Sequence, residues 1–264
     1  MSAKSATART RRAVLPSLGK KREILPNLGK NGKRAAKSPV RAGTAAAGEK
    51  TASPAAERRR AAKILAALQK EYPDAGCELR HWKTPLELAI ATILSAQCTD
   101  KRVNLVTPAL FAKYRSAADW AASPDGVLED EIRSTGFFRN KARNIRALAA
   151  RLAADYGGEL PGDFDVLVGL PGIGRKTANL LVATVFGQPG LVVDTHFIRL
   201  TNRLGFVRDL DDPVRIEFAM REIVPRERWT DWSHCMVFHG RRCCSARAPE
   251  CGRCPVRSLC PSAK

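Results

Sequence analysis

The sequence has no long hydrophobic run and no apolar segment of a signal peptide near its first residue. A membrane-spanning helix needs roughly 18 consecutive apolar residues, and a secretory signal needs a short apolar core. We therefore expect a soluble protein that has no membrane partner and is not secreted. The alternation of apolar and polar residues that marks half-buried strands is also missing over any useful length. The sequence thus predicts an all-α fold with short polar connections.

Acidic residues are few, with 26 Asp and Glu against 45 Lys and Arg, which gives a net charge of +19. So large an excess repels itself in a compact state unless a polyanion neutralises it, so nucleic acid is the expected partner. The chain is long enough to bury a sizeable core, because it has 264 residues of which 44% are hydrophobic.

Residues 1–57 hold thirteen of the basic side chains and only three acidic ones, with no aromatic residue. They are rich in Ala, Ser, Gly and Pro. The one regular feature is an imperfect repeat, in which "VLPSLGK" (14–20) is followed by "ILPNLGK" (24–30). This composition cannot offset the entropy of ordering, so a disordered basic tail is predicted. The favoured function of this tail is that of a basic arm that follows the phosphates of DNA, rather than that of a linker or a transit peptide. The transit peptide is disfavoured because Pro and Gly interrupt any long helix, at Pro16, Gly19, Pro26 and Gly29.

From residue 58 the apolar residues recur at helical spacing. Thr84 and Glu87 have the spacing of a capping box, and Pro85 suits the first helical position. Helices are predicted over 58–72, 84–97, 101–114, 128–133, 141–156, 164–168, 175–186 and 195–203.

Residues 164–186 predict a helix-hairpin-helix, in which a glycine-rich turn joins two helices. Gly172 and Gly174 let the backbone approach a phosphate closely, and the start of the second helix adds the positive end of its dipole. Ile173, between the glycines, fits a hydrophobic peg that holds the hairpin together. The turn therefore predicts a seat for a DNA phosphate, although a helix corner without a ligand can have the same residues.

Arg175 and Lys176 follow this turn directly, and Asp194 follows the apolar run after the second helix. The start of a helix disfavours a cation, so its field, with partial burial, favours the neutral amine of Lys176, the form that attacks an electrophilic sugar carbon. The alternative is a second phosphate-binding lysine beside Arg175. Asp194 is expected to cap the next helix, a role that is compatible with catalysis.

Four of the eight cysteines form one short loop with the spacing C-x6-C-x2-C-x5-C: Cys244, Cys251, Cys254 and Cys260. Without a secretory signal, disulfides are not expected, so four thiolates indicate a metal. The uneven spacing favours an iron–sulfur cluster over tetrahedral zinc. Zinc stays an alternative because His234, Cys235 and His239 precede the loop, and Cys243 competes with Cys244 as the first ligand. Cys77 and Cys98 are expected to be buried thiols.

Several motifs together resemble the endonuclease III family of DNA glycosylases: "LPGIGRKTAN" (170–179), "VDTH" (193–196), "LSAQCTD" (94–100), "NKARNI" (140–145) and the cysteine loop. The resemblance covers residues 58–264. It implies two all-α domains after the tail: a six-helix barrel with the helix-hairpin-helix at 78–188, and a cluster domain in which the helix at 58–77 joins 189–264. DNA would lie in the cleft between them.

The resemblance also implies roles for single residues. Lys176 matches the nucleophile that displaces a damaged base by attacking the sugar C1′, and Asp194 matches the carboxylate that assists it. A Schiff base on Lys176 implies strand cleavage by β-elimination. The implied activity is that of a bifunctional DNA glycosylase and apurinic/apyrimidinic (AP) lyase, which removes oxidised pyrimidines in base excision repair.

Gln97 matches the residue that fills the gap left by the flipped nucleotide. Phe137 lies where the family usually has a leucine that acts as a wedge on the opposite DNA strand. This departure affects the contact with that strand and not the chemistry. The implied DNA-binding residues are Gln97, Phe137, Lys141, Gly172, Ile173, Gly174 and Arg175. A [4Fe–4S] cluster is implied on Cys244, Cys251, Cys254 and Cys260, with Cys244 rather than Cys243 as the first ligand.

The implied partner is duplex DNA with damaged bases or abasic sites, bound by a monomer in the cytoplasm if the source is bacterial; organellar or nuclear targeting by the tail stays open. Two other functions stay open. The adenine-mismatch glycosylases usually lack the lysine and have a catalytic glutamate before their glutamine, whereas no carboxylate lies between Glu87 and Asp100. A non-enzymatic, cluster-bearing DNA-binding module has no need of Lys176 and Asp194 together.

Overall fold

The computed structural model describes residues 53–264, and every regular element in that range is helical. The all-α prediction is confirmed. The α-helices of this range are α1 (Pro54–Glu71), α2 (Pro85–Ser95), α3 (Asp100–Lys113), α4 (Ala117–Ala121), α5 (Val127–Glu131), α6 (Phe138–Asp155), α7 (Phe164–Val168), α8 (Arg175–Val185), α9 (Thr195–Arg203), α10 (Pro213–Ile223) and α11 (Trp229–Arg242). None of these helices is long and apolar enough to cross a membrane. The predictions for residues 1–52 lie outside the described range.

The N-terminus of α2 has the capping box that the sequence predicts. The side chain of Thr84 accepts the N–H of Glu87 at 3.2 Å, and the carboxylate of Glu87 accepts the N–H of Thr84 at 3.1 Å. Pro85 is the first helical residue. Two backbone N–H groups at the start of the helix, which have no partner within the helix, are hydrogen-bonded in this way. These bonds fix where α2 begins.

Two helices begin earlier than the sequence predicts. α1 begins at Pro54, because Ser53 caps it and proline suits the first helical position, so the tail does not extend to residue 57. α6 begins at Phe138 rather than Lys141, since the carbonyl of Phe137 already accepts the N–H of Lys141. The sequence pattern did not predict the helices α4, α10 and α11.

The described residues, 53–264, belong to one compact unit that contains two buried apolar clusters. The first apolar cluster is contributed by α2 to α8, and the second by α1 and α9 to α11. The largest side chains buried in the first are Leu88, Ile90, Leu94, Trp120, Leu128, Ile132, Ile145 and Leu148. Those buried in the second are Ile64, Leu68, Phe197 and Trp232. The helix-hairpin-helix therefore packs in the first cluster, whereas the helix that follows Asp194 packs in the second.

Candidate active site and metal centre

The turn between α7 and α8 depends on its two glycines. Gly172 has a φ of 75°, and a Cβ there would lie 3.0 Å from the Cβ of Asn144 and 3.1 Å from Cδ1 of Ile93. Gly174 is the N-cap of α8, and no side chain caps this helix, so its first N–H groups are open to an anion. Ile173 is 3% exposed and packs in the first apolar cluster. Its side chain supports the turn, as expected for a hydrophobic peg, and its contact with DNA stays a prediction.

Arg175 is tied to a buried carboxylate. Its Nε and Nη2 donate to the two carboxylate oxygens of Glu217 at 2.7 and 2.8 Å, and Glu217 is 3% exposed. Arg221 reaches the same carboxylate at 2.5 Å. Taking Arg175 away would leave Glu217 with fewer partners at a high cost in free energy. Arg175 thus forms a bridge from α8 to α10, which links the two apolar clusters, and its phosphate contact stays a prediction.

Lys176 and Asp194 line one cavity of about 260 Å³. Lys176 lies in the first turn of α8 and is exposed, so the predicted partial burial is wrong. Asp194 is the N-cap of α9, and its Oδ1 accepts the N–H of Phe197 at 2.8 Å, as expected for a cap. The residues before Asp194, 191–193, are buried. The cap and this buried segment together hold the carboxylate at the cavity.

Further polar residues line this cavity, among them Asp100, His234 and Arg241. Burial raises the pKa of Asp100, and the nearby charge of Lys176 opposes that shift. Nη2 of Arg241 donates to Oδ2 of Asp100 at 3.0 Å, and burial lowers the pKa of His234. Neither Asp100 nor Arg241 had a role predicted from the sequence. Asp100 is the last residue of the motif "LSAQCTD", but nothing marked Arg241, because α11 was not predicted.

Gln97 and Phe137 both have their backbones in the left-handed region, with φ of 52° and 49°. Residues other than glycine hold this conformation only where the surrounding structure imposes it. Gln97 is exposed and lines the cavity of Lys176. Phe137 is 64% exposed, whereas its neighbour Phe138 packs against the first apolar cluster. Only one of the two adjacent aromatic rings is therefore presented to solvent.

Lys141 has a buried side chain, not a surface one. It is 4% exposed, and its Nζ donates to the carbonyl oxygens of Leu94 and Thr135, each at 2.7 Å. Burial lowers the pKa of Lys141. An amine held by two backbone carbonyls inside the protein is not placed to contact a phosphate. The DNA contact of Lys141 stays a prediction, which this burial does not support.

A cavity of about 310 Å³ is lined by the four cysteines of the predicted ligand set, Cys244, Cys251, Cys254 and Cys260. Every cysteine of the chain is a free thiol. Cys243 does not line the cavity: it is 2% exposed, and its Sγ lies 3.7 Å from the carbonyl oxygen of Glu250. Nη1 of Arg203 donates to Sγ of Cys244 at 3.2 Å, an interaction that suits a thiolate ligand. Four thiols around one cavity fit a metal cluster.

Among residues 53–264, one group of three side chains could also hold a single metal ion: His239, Cys243 and Cys254. Nε2 of His239 lies 3.6 Å from Sγ of Cys254, and the hydroxyl of Tyr72 lies 3.0 Å from Nδ1 of the same ring. The group shares Cys254 with the four-cysteine cavity. Both arrangements therefore place metal-binding side chains beside the cysteine loop.

The other residues considered as ligands lie elsewhere. His234 lines the cavity of Lys176, and Cys235 is buried in the second apolar cluster, where burial raises its pKa to about 11. Of the three residues behind the zinc alternative, His239 alone belongs to the group that could hold a metal ion among the described residues. Cys77 and Cys98 are partly buried against the first apolar cluster, so their burial is less complete than expected.

The fold and the cavity define a helix-hairpin-helix protein of DNA repair. Residues 90–226 match the HhH-GPD superfamily of base excision DNA repair proteins. The chain belongs to this superfamily and, within it, to the endonuclease III family, and it is a base excision repair DNA glycosylase. The endonuclease III of a Synechocystis species is 46% identical to it over 211 residues, which cover 80% of this chain and 95% of that relative.

Solved structures agree with this assignment. A non-covalent complex of an endonuclease III with DNA is 48% identical, has a TM-score of 0.74, and is matched over 78% of this chain and 96% of its own. A structure described as a trapped covalent intermediate of endonuclease III with DNA has the same identity, TM-score and coverage.

Proposed function

We propose that this protein is a bifunctional DNA glycosylase and AP lyase that removes oxidised pyrimidines from duplex DNA. The observation that carries the proposal is one cavity lined by the amine of Lys176 and the carboxylate of Asp194, with Gln97 beside them. A nucleophilic amine allows one site to release the base and to break the strand, whereas water as the nucleophile does only the first. The similar structure of a trapped covalent intermediate supports this assignment.

Binding begins at the turn of Gly172 and Gly174, where open N–H groups and the positive end of α8 receive a phosphate. The damaged nucleotide turns out of the stack into the cavity, and Gln97 fills the space that it leaves. Phe137 enters the duplex as a wedge. These interactions hold the sugar C1′ against the first turn of α8, where Lys176 lies.

The neutral amine of Lys176 attacks C1′, and the bond from C1′ to the base breaks. The base leaves with the bonding electrons and takes up a proton, while Asp194 accepts the proton that the lysine nitrogen loses. The C1′–O4′ bond then breaks, O4′ takes up the proton from Asp194, and the nitrogen of Lys176 is left doubly bonded to C1′ as a protonated Schiff base.

Strand cleavage follows from the same adduct. The Schiff base withdraws electrons and acidifies C2′, so that a carboxylate of the cavity can remove a C2′ proton. The C3′–O bond then breaks, and the phosphate leaves with the bonding electrons. Water finally hydrolyses the Schiff base and frees Lys176. This sequence accounts for a cut on the 3′ side of the lesion.

The cysteine centre is proposed to hold a [4Fe–4S] cluster on Cys244, Cys251, Cys254 and Cys260. The free thiols around one cavity and the hydrogen bond from Arg203 to Cys244 support this ligand set. When bound, the cluster would supply iron–thiolate bonds that tie the loop of 244–260 together. Cys243 would then stay a buried thiol.

The proposed domains are a barrel at 78–188 and a cluster domain made of 58–77 with 189–264. The two apolar clusters support this division, because the first lies within the barrel and the second within the other part. DNA would bind to a monomer across the boundary, where Lys176 and Asp194 come from different domains. The cytoplasm is the proposed compartment, since the related enzyme from Synechocystis is bacterial.

The test is incubation with three duplexes, carrying thymine glycol, adenine opposite 8-oxoguanine, or no damage. Base release and strand cleavage are scored separately. We expect both from the thymine glycol duplex alone. Release of adenine without cleavage would assign the protein to the mismatch glycosylases. Lesion binding without any base release would assign it to the non-enzymatic DNA-binding modules.

A further inference from the structure

We propose that Lys141 is a positioning residue that sets the spacing of the two residues that enter DNA, Gln97 and Phe137. The inference rests on the proposed function, in which both residues are inserted into the duplex. Lys141 itself does not touch DNA. It acts by joining the ends of two loops through one buried ammonium group.

The hydrogen bonds of Lys141 reach both loops. Its Nζ donates at 2.7 Å to the carbonyl oxygen of Leu94, which precedes Gln97 by one helical turn, and at 2.7 Å to that of Thr135, just before Phe137. Its own N–H donates to the carbonyl oxygen of Phe137 at 3.1 Å. One residue thus holds the end of α2 and both sides of the Phe137 loop.

The carbonyl of Leu94 needs such a partner. It belongs to the last turn of α2, where carbonyl groups have no partner within the helix. In this turn the N–H of Ala96 donates to Ile93 and that of Cys98 to Ser95, so neither serves Leu94. A buried cation is a strong donor to such a group, because hydrogen bonds from charged donors are about twice as strong as neutral ones.

Both loops also hold a strained residue. Gln97 and Phe137 have φ of 52° and 49°, a conformation that costs free energy and that the surrounding structure must impose. The carbonyls that Lys141 binds lie within three residues of each strained position. Preformed geometry reduces the entropic cost when the two side chains enter DNA, so a loose spacing would weaken insertion.

The burial of Lys141 excludes the simpler role of a phosphate contact. The side chain is 4% exposed, so no DNA phosphate reaches its amine without movement of α2 or α6. A structural role alone would place an apolar residue here at less cost, since burying an ammonium group requires desolvation. The amine is therefore best explained by the two carbonyls whose spacing it sets.

The test compares Lys141→Met with Arg151→Met, which removes an exposed cation of the same helix. Insertion is measured as the fluorescence of 2-aminopurine beside a stable abasic analogue and as the ratio of affinities for abasic and undamaged duplexes. We expect Lys141→Met to reduce this ratio about tenfold and to slow single-turnover base release about 100-fold, the scale of a small misplacement remote from the chemistry. Arg151→Met should change neither.

A double-mutant cycle with Phe137→Ala separates positioning from a loss of stability. If Lys141 acts through Phe137, Lys141→Met will reduce insertion less in the Phe137→Ala background than in the wild-type protein, so the two effects will not add. Additive effects, or a Lys141→Met protein with a lowered melting temperature but the wild-type affinity ratio, would overturn the proposal. If Lys141→Met does not fold, Lys141→Gln, which stays polar but loses the charge and is one atom shorter than the span to the two carbonyls requires, is measured with the same expectations.

The readouts of insertion do not need base release, so they decide the inference even if the wild-type protein releases no base. That outcome would contradict the proposed function alone. An active wild-type enzyme with an unaffected Lys141→Met variant would contradict the inference alone.

Discussion

The cysteine centre and the Lys176 cavity are built in opposite ways. All four thiols of the cysteine cavity come from residues 244–260, after α11. The Lys176 cavity draws its polar residues from the end of α2 and the starts of α3, α8 and α9, together with α11. A motif in one segment can be recognised from its spacing alone. A site assembled from five helices exists only when both apolar clusters are packed.

The difference extends to how each site is held. The cysteine loop is held largely through its backbone: Arg203 donates to the carbonyl of Ser245, Arg199 to that of Cys244 and Arg60 to that of Leu259. The Lys176 cavity depends on long-range interactions, among them the bridge of Arg175 to Glu217 and the pair of Arg241 with Asp100. We therefore expect substitutions in the cysteine loop to impair metal binding. Substitutions around the Lys176 cavity should instead lower the rate of base release.

The largest effect is expected for Lys176→Gln. Borohydride should trap a covalent adduct of the wild-type enzyme with lesion DNA, whereas the variant should form no adduct and cut no strand, because the attacking amine is gone. Binding of lesion DNA should be nearly unchanged, since only one of many positive charges is removed. The control is Lys101→Gln, which removes an exposed amine from the neighbouring cavity. An adduct formed by Lys176→Gln would assign the chemistry to another amine.

The second comparison is within the cysteine loop. Wild-type protein should be brown and contain iron and sulfide, and Cys251→Ser should give colourless or insoluble protein because a ligand is removed. Cys243→Ser should keep the colour, since Cys243 does not line the cavity. Iron analysis and visible absorbance measure both. Zinc in place of iron, or loss of colour in Cys243→Ser only, would point to the group of His239, Cys243 and Cys254.

A smaller effect is expected for Asp194→Asn. Asparagine keeps the cap of α9 but removes the charge, so base release should slow by about 100-fold or more while the melting temperature stays close to wild type. The control is Asp212→Asn, because Asp212 caps α10 in the same way and lies outside the Lys176 cavity of 260 Å³. If Asp194→Asn released the base at the wild-type rate, the role of Asp194 would be limited to capping α9.

The smallest effect is expected from the basic tail. Deletion of residues 1–52 should flatten the plot of log affinity against log salt, by about 0.9 for each phosphate that the tail neutralises. The preference for lesion DNA and the single-turnover rate at saturation should not change, because Lys176 and Asp194 are retained. An unchanged salt slope would assign the tail to targeting or to a linker.

The helix starts and the hairpin could be predicted because their signals are local. Thr84, Pro85 and Glu87 cap α2 through neighbours in the chain, and Gly172 is needed for a positive φ within one turn. α10 had comparable signals in Asp212 and Pro213 but received no prediction. Because α10 and α11 were missed, no role could be predicted for Glu217 or Arg241.

Charge alone does not show how a basic residue is placed. The sequence predicts that Arg175 and Lys141 contact DNA, because each is a cation in or near a DNA-binding motif, and both contacts stay predictions. The structure pairs Arg175 with Glu217, which is 42 residues away, and buries Lys141 against Leu94, which is 47 residues away. Lys176, which was expected to be partly buried, is exposed. A sequence shows which residues carry charge but not which of them find a partner.

The sequence by itself determined the all-helical class, the hairpin turn and the set of four cysteines, because these depend on spacing within one or two turns of chain. It also determined the excess of positive charge, because the net charge depends only on how many acidic and basic residues the chain contains. Only the tertiary structure decided which cations stay free, that Gln97, Asp100, Lys176 and Asp194 share one cavity, and that Cys243 stays outside the cavity of its neighbour. The physical reason is that burial and pairing depend on interactions between segments far apart in the chain, and the packing of the two apolar clusters fixes those interactions.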